Sequence, residues 1–206
     1  MSKLDDFRLS LGGKEFIPIV VGGMGVDIST SELALKAAKL GGIGHISDAM
    51  SPYLCDRKLG TTYQVTKAKE FKARKELDPL AIAKWDPEVV HRATREHVAL
   101  SMQGKKGVGA VFINVMERLT MGAPLETLQA RLKGALDGGI DGITLSAGLH
   151  NSSLRLIEDH PRFRDAYVGT IVSSLRALKI FLRGACRVNR MPDYIIVEGP
   201  LAGGHL

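Results

Sequence analysis

The stretch PIVVGGMGVDISTSELALKAAKLGGIGHIS, residues 18–47, contains one complete strand–helix–strand unit. An apolar run at 18–21 predicts a strand, and Ser29 followed three residues later by Glu32 predicts a capping box that begins a helix. A second apolar run at 43–46 predicts the next strand. Between the two strands, apolar residues recur at the spacing of one helix face, namely Leu33, Ala34, Ala37 and Leu40.

The same alternation continues towards the end of the chain. Further strands are predicted at 107–115, 143–145, 167–172 and 194–197, and further helices from Asp86-Pro87, from Pro124, at about 153–158 and from Ser173 to about Arg183. Repeated units of this kind predict a parallel sheet with helices outside it. The segment 51–85 interrupts the pattern with two prolines and many charges, and it predicts an excursion such as a lid or a dimer arm.

The fold class is therefore α/β, but six strands alone are compatible with an open doubly wound sheet or with an incomplete barrel. A closed barrel has eight strands and typically about 250 residues. The strand count by itself does not choose between these two architectures, and the choice depends on the motifs described below.

Composition excludes several classes of protein. Hydrophobic residues make up 45% of the 206 residues, which is too many for a disordered chain. The two cysteines, Cys55 and Cys186, have no CxxC spacing and argue against a disulfide scaffold or a structural zinc site. We find no apolar run of membrane-spanning length and no secretory signal, so we expect a cytoplasmic protein.

The net charge of +6 does not by itself predict a nucleic-acid partner. The basic cluster within 67–75 is interleaved with acidic residues, which is typical of a solvated helix face. We expect a small-molecule substrate, no nucleic acid and no membrane partner, and a homo-oligomer stays open.

The turn Gly22-Gly23-Met24-Gly25 follows the first predicted strand. Glycines here let the backbone approach a ligand closely, such as a flavin ring edge or a phosphate. The third glycine of a dinucleotide fingerprint is missing, and the turn is not a P-loop. A tight βα turn without any ligand explains the same residues equally well.

Two further candidates lie at the carboxyl ends of predicted strands, where a barrel has its active site. Asn114 carries an amide that can both donate to and accept from a flavin's pyrimidine edge, although a bond to a neighbouring loop is the commoner use. His205 follows a glycine-rich turn and suits proton transfer near neutral pH, although a frayed tail explains its position too.

The other polar residues carry weaker signals. We interpret His45 and His150 as structural histidines, and we expect His91 and His97 to face solvent on a helix. The sequence contains no HExxH motif or other metal-ligand spacing. Ser146 lacks a GxSxG elbow, so hydrolase chemistry is unsupported.

Taken together, three segments resemble the nitronate monooxygenase family, also called 2-nitropropane dioxygenases. These are the opening stretch at 18–47, FINVM at 112–116 and DYIIVEGPLAGGHL at 193–206. The last of these is the most specific, and it resembles most closely the branch described as NAD(P)H-dependent flavin oxidoreductases. The likeness runs in order over the chain apart from 51–85.

The resemblance implies a (β/α)8 TIM barrel that binds FMN, incomplete here, with about six βα units present in one partial domain, residues 1–206. It implies that Gly22, Gly23 and Met24 contact the flavin through their backbone and that Asn114 hydrogen-bonds it. It further implies His205 as the catalytic base, with Glu198, Gly203 and Gly204 lining the same pocket. Val21 stands where the family often has glutamine, so that side-chain contact is absent.

The implied activity is oxidation of alkyl nitronates with O2 to carbonyl compounds and nitrite. Two alternatives stay open, namely an NAD(P)H-dependent flavin reductase of an enoyl thioester or quinone, and a non-catalytic remnant. The family continues through two more βα units whose loops hold the FMN phosphate, so the resemblance implies a C-terminally truncated member. We therefore expect this chain to bind FMN weakly or not at all.

Overall fold

The computed structural model describes residues 6–23, 25–26, 28–117, 119 and 123–202. The strands are β1 (Leu9–Leu11), β2 (Lys14–Phe16), β3 (Val20–Val21), β4 (Ile43–Ser47), β5 (Ala110–Met116), β6 (Gly142–Ser146), β7 (Tyr167–Val172) and β8 (Tyr194–Val197). The helices are α1 (Ser31–Lys39), α2 (Ser51–Leu59), α3 (Tyr63–Leu77), α4 (Pro87–Gln103), α5 (Pro124–Asp137) and α6 (Leu175–Arg187), with 3-10 helices at Ser153–Ile157 and Pro161–Phe163.

Strands β3 to β8 form one parallel sheet in chain order, and this sheet is curled into a half-barrel. Each neighbouring pair is parallel, with Ser47, Asn114, Thr144, Gly169 and Tyr194 at one level across five strands. The predicted α/β class and the six parallel strands are confirmed. The carboxyl ends of all six strands therefore lie at one edge of the sheet, which we call the mouth.

The two faces of the sheet carry separate apolar clusters. On the outer face, Ile113, Ile143 and Leu145 pack under the helices within the larger cluster. On the inner face, Phe112 is the centre of a smaller cluster that also contains Phe16. Period-two alternation along β5 explains this separation, since successive side chains point to opposite faces.

A hairpin that the sequence analysis missed covers the inner face at the amino ends of the strands. Strands β1 and β2 are antiparallel and joined by Gly12-Gly13, both with positive φ. Two such residues form the turn type that suits a two-residue hairpin loop. The hydroxyl of Tyr167 donates to the Leu11 carbonyl at 3.2 Å, which fastens the hairpin to β7.

Two predicted helix caps are wrong by one residue. The cap of α1 is Thr30, whose side chain accepts the Leu33 N–H at 3.3 Å, and the cap of α6 is Ser174 rather than Ser173. Ser29 instead donates to the Gly22 carbonyl at 3.3 Å. The predicted cap Asp86 and the proline after it are confirmed at the start of α4.

The expectation that His97 faces solvent is also wrong. His97 is 3% exposed and belongs to the buried stripe of α4, with Val90, Ala93, Thr94, Val98 and Ser101. The segment 51–85, which the sequence predicted only as an excursion from the repeating pattern, contains two helices, α2 and α3. Within α3 every residue keeps some exposure to solvent, so this helix adds little to the core. Among the described residues, none of the helices is both long and apolar enough to cross a membrane.

Candidate active site at the mouth of the half-barrel

Two of the predicted site residues are in direct contact. Asn114 lies on the inner face of β5, and its Nδ2 donates to the Gly23 carbonyl at 3.1 Å. A Cβ at Gly23 would lie 2.4 Å from the Asn114 Cβ. A side chain at position 23 would therefore push the glycine turn away from β5. Beside Gly22, no described atom comes within 4 Å of where a Cβ would be, so the space next to the turn is open.

The other predicted residues are not all placed together. Glu198 follows β8 and is exposed, and its N–H donates to the Val172 carbonyl at 2.9 Å. It is at the same edge as Asn114 but three strands away in the sheet order. Met24, Gly203, Gly204 and His205 lie outside the described residues.

Two buried polar atoms on the inner face have no partner among the described residues. They are Asn114 Oδ1 and Ser146 Oγ, on neighbouring strands at the mouth. A buried polar group without a hydrogen bond costs about 1–3 kcal/mol, which a bound ligand or water can recover. Four other buried side-chain atoms among the described residues also have no partner, namely Asp48 Oδ1, Thr94 Oγ1, His97 Nε2 and Arg131 Nη2. Asn114 Oδ1 and Ser146 Oγ differ from these four in lying on inner-face strand positions beside the glycine turn.

Sequence reasoning missed Ser146 because it considered the hydroxyl only as a nucleophile. The strand pattern contained the useful signal. Residues 142, 144 and 146 share one face of β6, and Thr144 on that face contacts His45.

The histidines near the mouth are bonded within the fold, as the sequence interpretation held. His45 Nδ1 lies 2.8 Å from the Val21 carbonyl and its Nε2 lies 2.6 Å from Thr144 Oγ1. His150 bonds the Ser146 carbonyl at 2.6 Å and Ser153 Oγ at 2.8 Å. Burial lowers the pKa of His45 to about 4, so its ring is neutral at physiological pH.

A buried ion pair stabilises the loops at the same edge. Arg131 of α5 donates through Nη1 to Asp48 Oδ2 and to the Met116 carbonyl. The two side chains are 3% and 0% exposed. Glu117 accepts the backbone N–H groups of Leu149 at 2.9 Å and His150 at 3.1 Å. The loops after β4, β5 and β6 are therefore tied to one another beside the candidate site.

Two surface grooves are lined by residues of α6. One of about 490 Å³ is lined by Leu175, Arg176, Lys179, Ile180 and Arg183 on the outer side of α6. These residues belong to α6, whereas Asn114 and Ser146 lie on the inner face of the sheet. Within the described residues, no group of three metal-ligating side chains is found.

Comparison with known proteins yields no assignment. No protein-family model matches the chain, and no curated protein matches it significantly.

Proposed function

We propose that this chain carries the flavin site of an FMN-dependent oxidoreductase, a nitronate monooxygenase that oxidises alkyl nitronates with O2 to carbonyl compounds and nitrite. The proposal rests on the resemblance of three segments and on one structural observation. That observation is the buried, unpartnered Oδ1 of Asn114 beside the glycine turn.

The residues at the mouth fit a flat heterocycle. The Nδ2 of Asn114 is committed to Gly23, so Oδ1 is left as an acceptor for a ring N–H. A flavin's pyrimidine edge offers such an N–H. The open space beside Gly22 lets a planar ring approach the backbone without meeting a side chain.

In this proposal the chain's residues bind and orient, and the cofactor when bound supplies electron transfer between substrate and oxygen. Asn114 would hold the ring edge, and the backbone at 22–24 would lie along the ring. The stacked aromatic side chains of Phe112 and Tyr194 would exclude water from the inner face. The resemblance assigns His205 as the catalytic base, which would accept the proton that a neutral nitroalkane loses from the carbon next to nitrogen when it becomes the nitronate.

Flavin binding tests the site directly. The resemblance implies FMN binding that is weak or absent, because the loops that hold the phosphate are not in this chain. The proposed contacts are to the ring and not to the phosphate, so they predict weak but measurable binding of both riboflavin and FMN in a fluorescence titration. Asn114→Ala removes one hydrogen bond and should weaken riboflavin binding about tenfold. Thr170→Val is the matched control, because Thr170 Oγ1 bonds the Leu145 carbonyl at 3.4 Å, away from the proposed contacts. Binding that is absent, or unaffected by Asn114→Ala, contradicts the proposal.

A second assay separates the two enzymatic alternatives. The purified chain with FMN should release nitrite from propane 2-nitronate without any NAD(P)H. NAD(P)H oxidation with no nitrite release would instead favour the flavin reductase. A colourless protein that is inactive in both assays would favour the non-catalytic remnant.

A further inference from the structure

Three consecutive carbonyl groups in the turn at 21–23 each accept a hydrogen bond from a side chain. The donors come from three different segments, which are β4, the loop before α1, and β5. The pairs are His45 Nδ1 with Val21 at 2.8 Å, Ser29 Oγ with Gly22 at 3.3 Å and Asn114 Nδ2 with Gly23 at 3.1 Å. A glycine turn is otherwise the most mobile kind of backbone. Here each of the three carbonyl groups is oriented by a side chain from another segment of the chain.

The His45 bond belongs to a longer chain of hydrogen bonds with a single direction. A carbonyl oxygen only accepts, so the neutral His45 ring must carry its hydrogen on Nδ1 and leave a lone pair on Nε2. Thr144, 2.6 Å away, must then donate to Nε2. Because its one hydrogen is used there, Tyr194 must donate to Thr144 Oγ1 at 2.5 Å.

Packing holds this chain in place. The Phe112 ring lies between its two ends, edge-on to His45 at 5.5 Å and stacked on Tyr194 at 5.6 Å. The Tyr194 ring covers Gly169, where a Cβ would come within 2.1 Å of it. This series of hydrogen bonds therefore runs across the inner face from β8 to the end of β3.

We propose that His45, Thr144 and Tyr194 are positioning residues that hold the Gly22-Gly23 turn in place, opposite Asn114, before a flavin binds. This inference rests on the proposed function for its ligand, but the positioning of the turn does not depend on it. A turn fixed in advance loses less conformational entropy on binding.

Thr144→Val interrupts the chain at its middle with little change of shape, and Thr144→Ser keeps the hydroxyl. Nitrogen-15 NMR of the wild-type ring should show His45 with its hydrogen on Nδ1. The amide resonances of Gly22 and Gly23 should move in Thr144→Val and stay near their wild-type positions in Thr144→Ser and in Thr170→Val. Riboflavin affinity should fall about fivefold in Thr144→Val and recover in Thr144→Ser. Tyr194→Phe breaks the far end and supplies a second variant if Thr144→Val fails to fold.

The outcomes distinguish the two proposals. A hydrogen on Nε2 of His45, or glycine resonances that do not respond in Thr144→Val and Tyr194→Phe, would overturn the positioning role. Equal riboflavin affinity in the wild type and these variants would overturn it too. Glycine resonances that move as expected in a protein that binds no flavin would support the positioning and refute the proposed function.

Discussion

The inner face of the half-barrel has two halves that differ in how fully their side chains are satisfied. Near the amino ends of the strands, Phe112 and Tyr167 pack ring to ring at 5.6 Å under the β1–β2 hairpin, and the Tyr167 hydroxyl is bonded. At the mouth, Asn114 and Ser146 are buried, yet each keeps an unpartnered polar atom. The first half is built for stability, and the second half gives up stability where a ligand can restore it.

The largest effect is expected in the aromatic half. Phe112 is 1% exposed, so Phe112→Ala removes a buried ring and leaves a cavity. We expect the free energy of unfolding in urea to fall by about 3–5 kcal/mol. Phe71→Ala in α3, a helix with no buried residue, is the matched control and should cost less than about 1 kcal/mol. Similar losses in the two variants would mean that the inner face is not a packed core.

Lowering the pH should reduce the free energy of unfolding through His45, which lies between the two halves. Its pKa falls from 6.5 to about 4 on folding because burial disfavours the charged ring. Between these two pKa values the imidazole of His45 is protonated in the unfolded chain and neutral in the native state. About 3 kcal/mol of the free energy of unfolding depends on this difference in pKa. It is fully present above pH 6.5 and is lost as the pH falls towards 4. His97, with a pKa of about 4 for the same reason, adds in the same window.

Urea unfolding at several pH values measures this dependence. His45→Asn can retain a donor towards Val21 but does not titrate. Between pH 5 and 6 this variant should reduce the slope of stability against pH by about 1 kcal/mol per unit. An unchanged slope would show that the imidazole of His45 is not held neutral in the fold.

The same two halves show how far sequence reasoning reaches. Apolar runs bounded by glycines were enough to predict the six parallel strands, and the strand-end position of Asn114 was enough to predict its place at the mouth. The hairpin was missed although Gly12-Gly13 between two three-residue strands is its signal. His97 was misplaced because its residue type was weighed above its position on the apolar stripe of α4.

What the sequence could not supply is the pairing of individual polar atoms. The hydrogen bonds of Thr144 join it to Tyr194, 50 positions away, and to His45, 99 positions away. Both bonds depend on the strand register and on the orientation of the rings. Neither follows from local pattern, because a shift of one residue in register would move Thr144 to the other face. Which polar atoms of the mouth lack a partner likewise depends on strand register and side-chain orientation.

The smallest effect is expected at the mouth, and its sign is the informative part. Ser146→Ala removes a buried hydroxyl that has no partner among the described residues, so it deletes a desolvation cost without breaking a bond. We expect the free energy of unfolding to stay the same or to rise, by up to about 1 kcal/mol. Thr144→Ala is the comparison, since Thr144 bonds both His45 and Tyr194 and its loss should be destabilising. If Ser146→Ala destabilises the protein as Thr144→Ala does, the hydroxyl of Ser146 has a partner within the fold. The polar atoms of the mouth would then have partners as those of the aromatic half do, and the contrast that supports the proposed binding site would disappear.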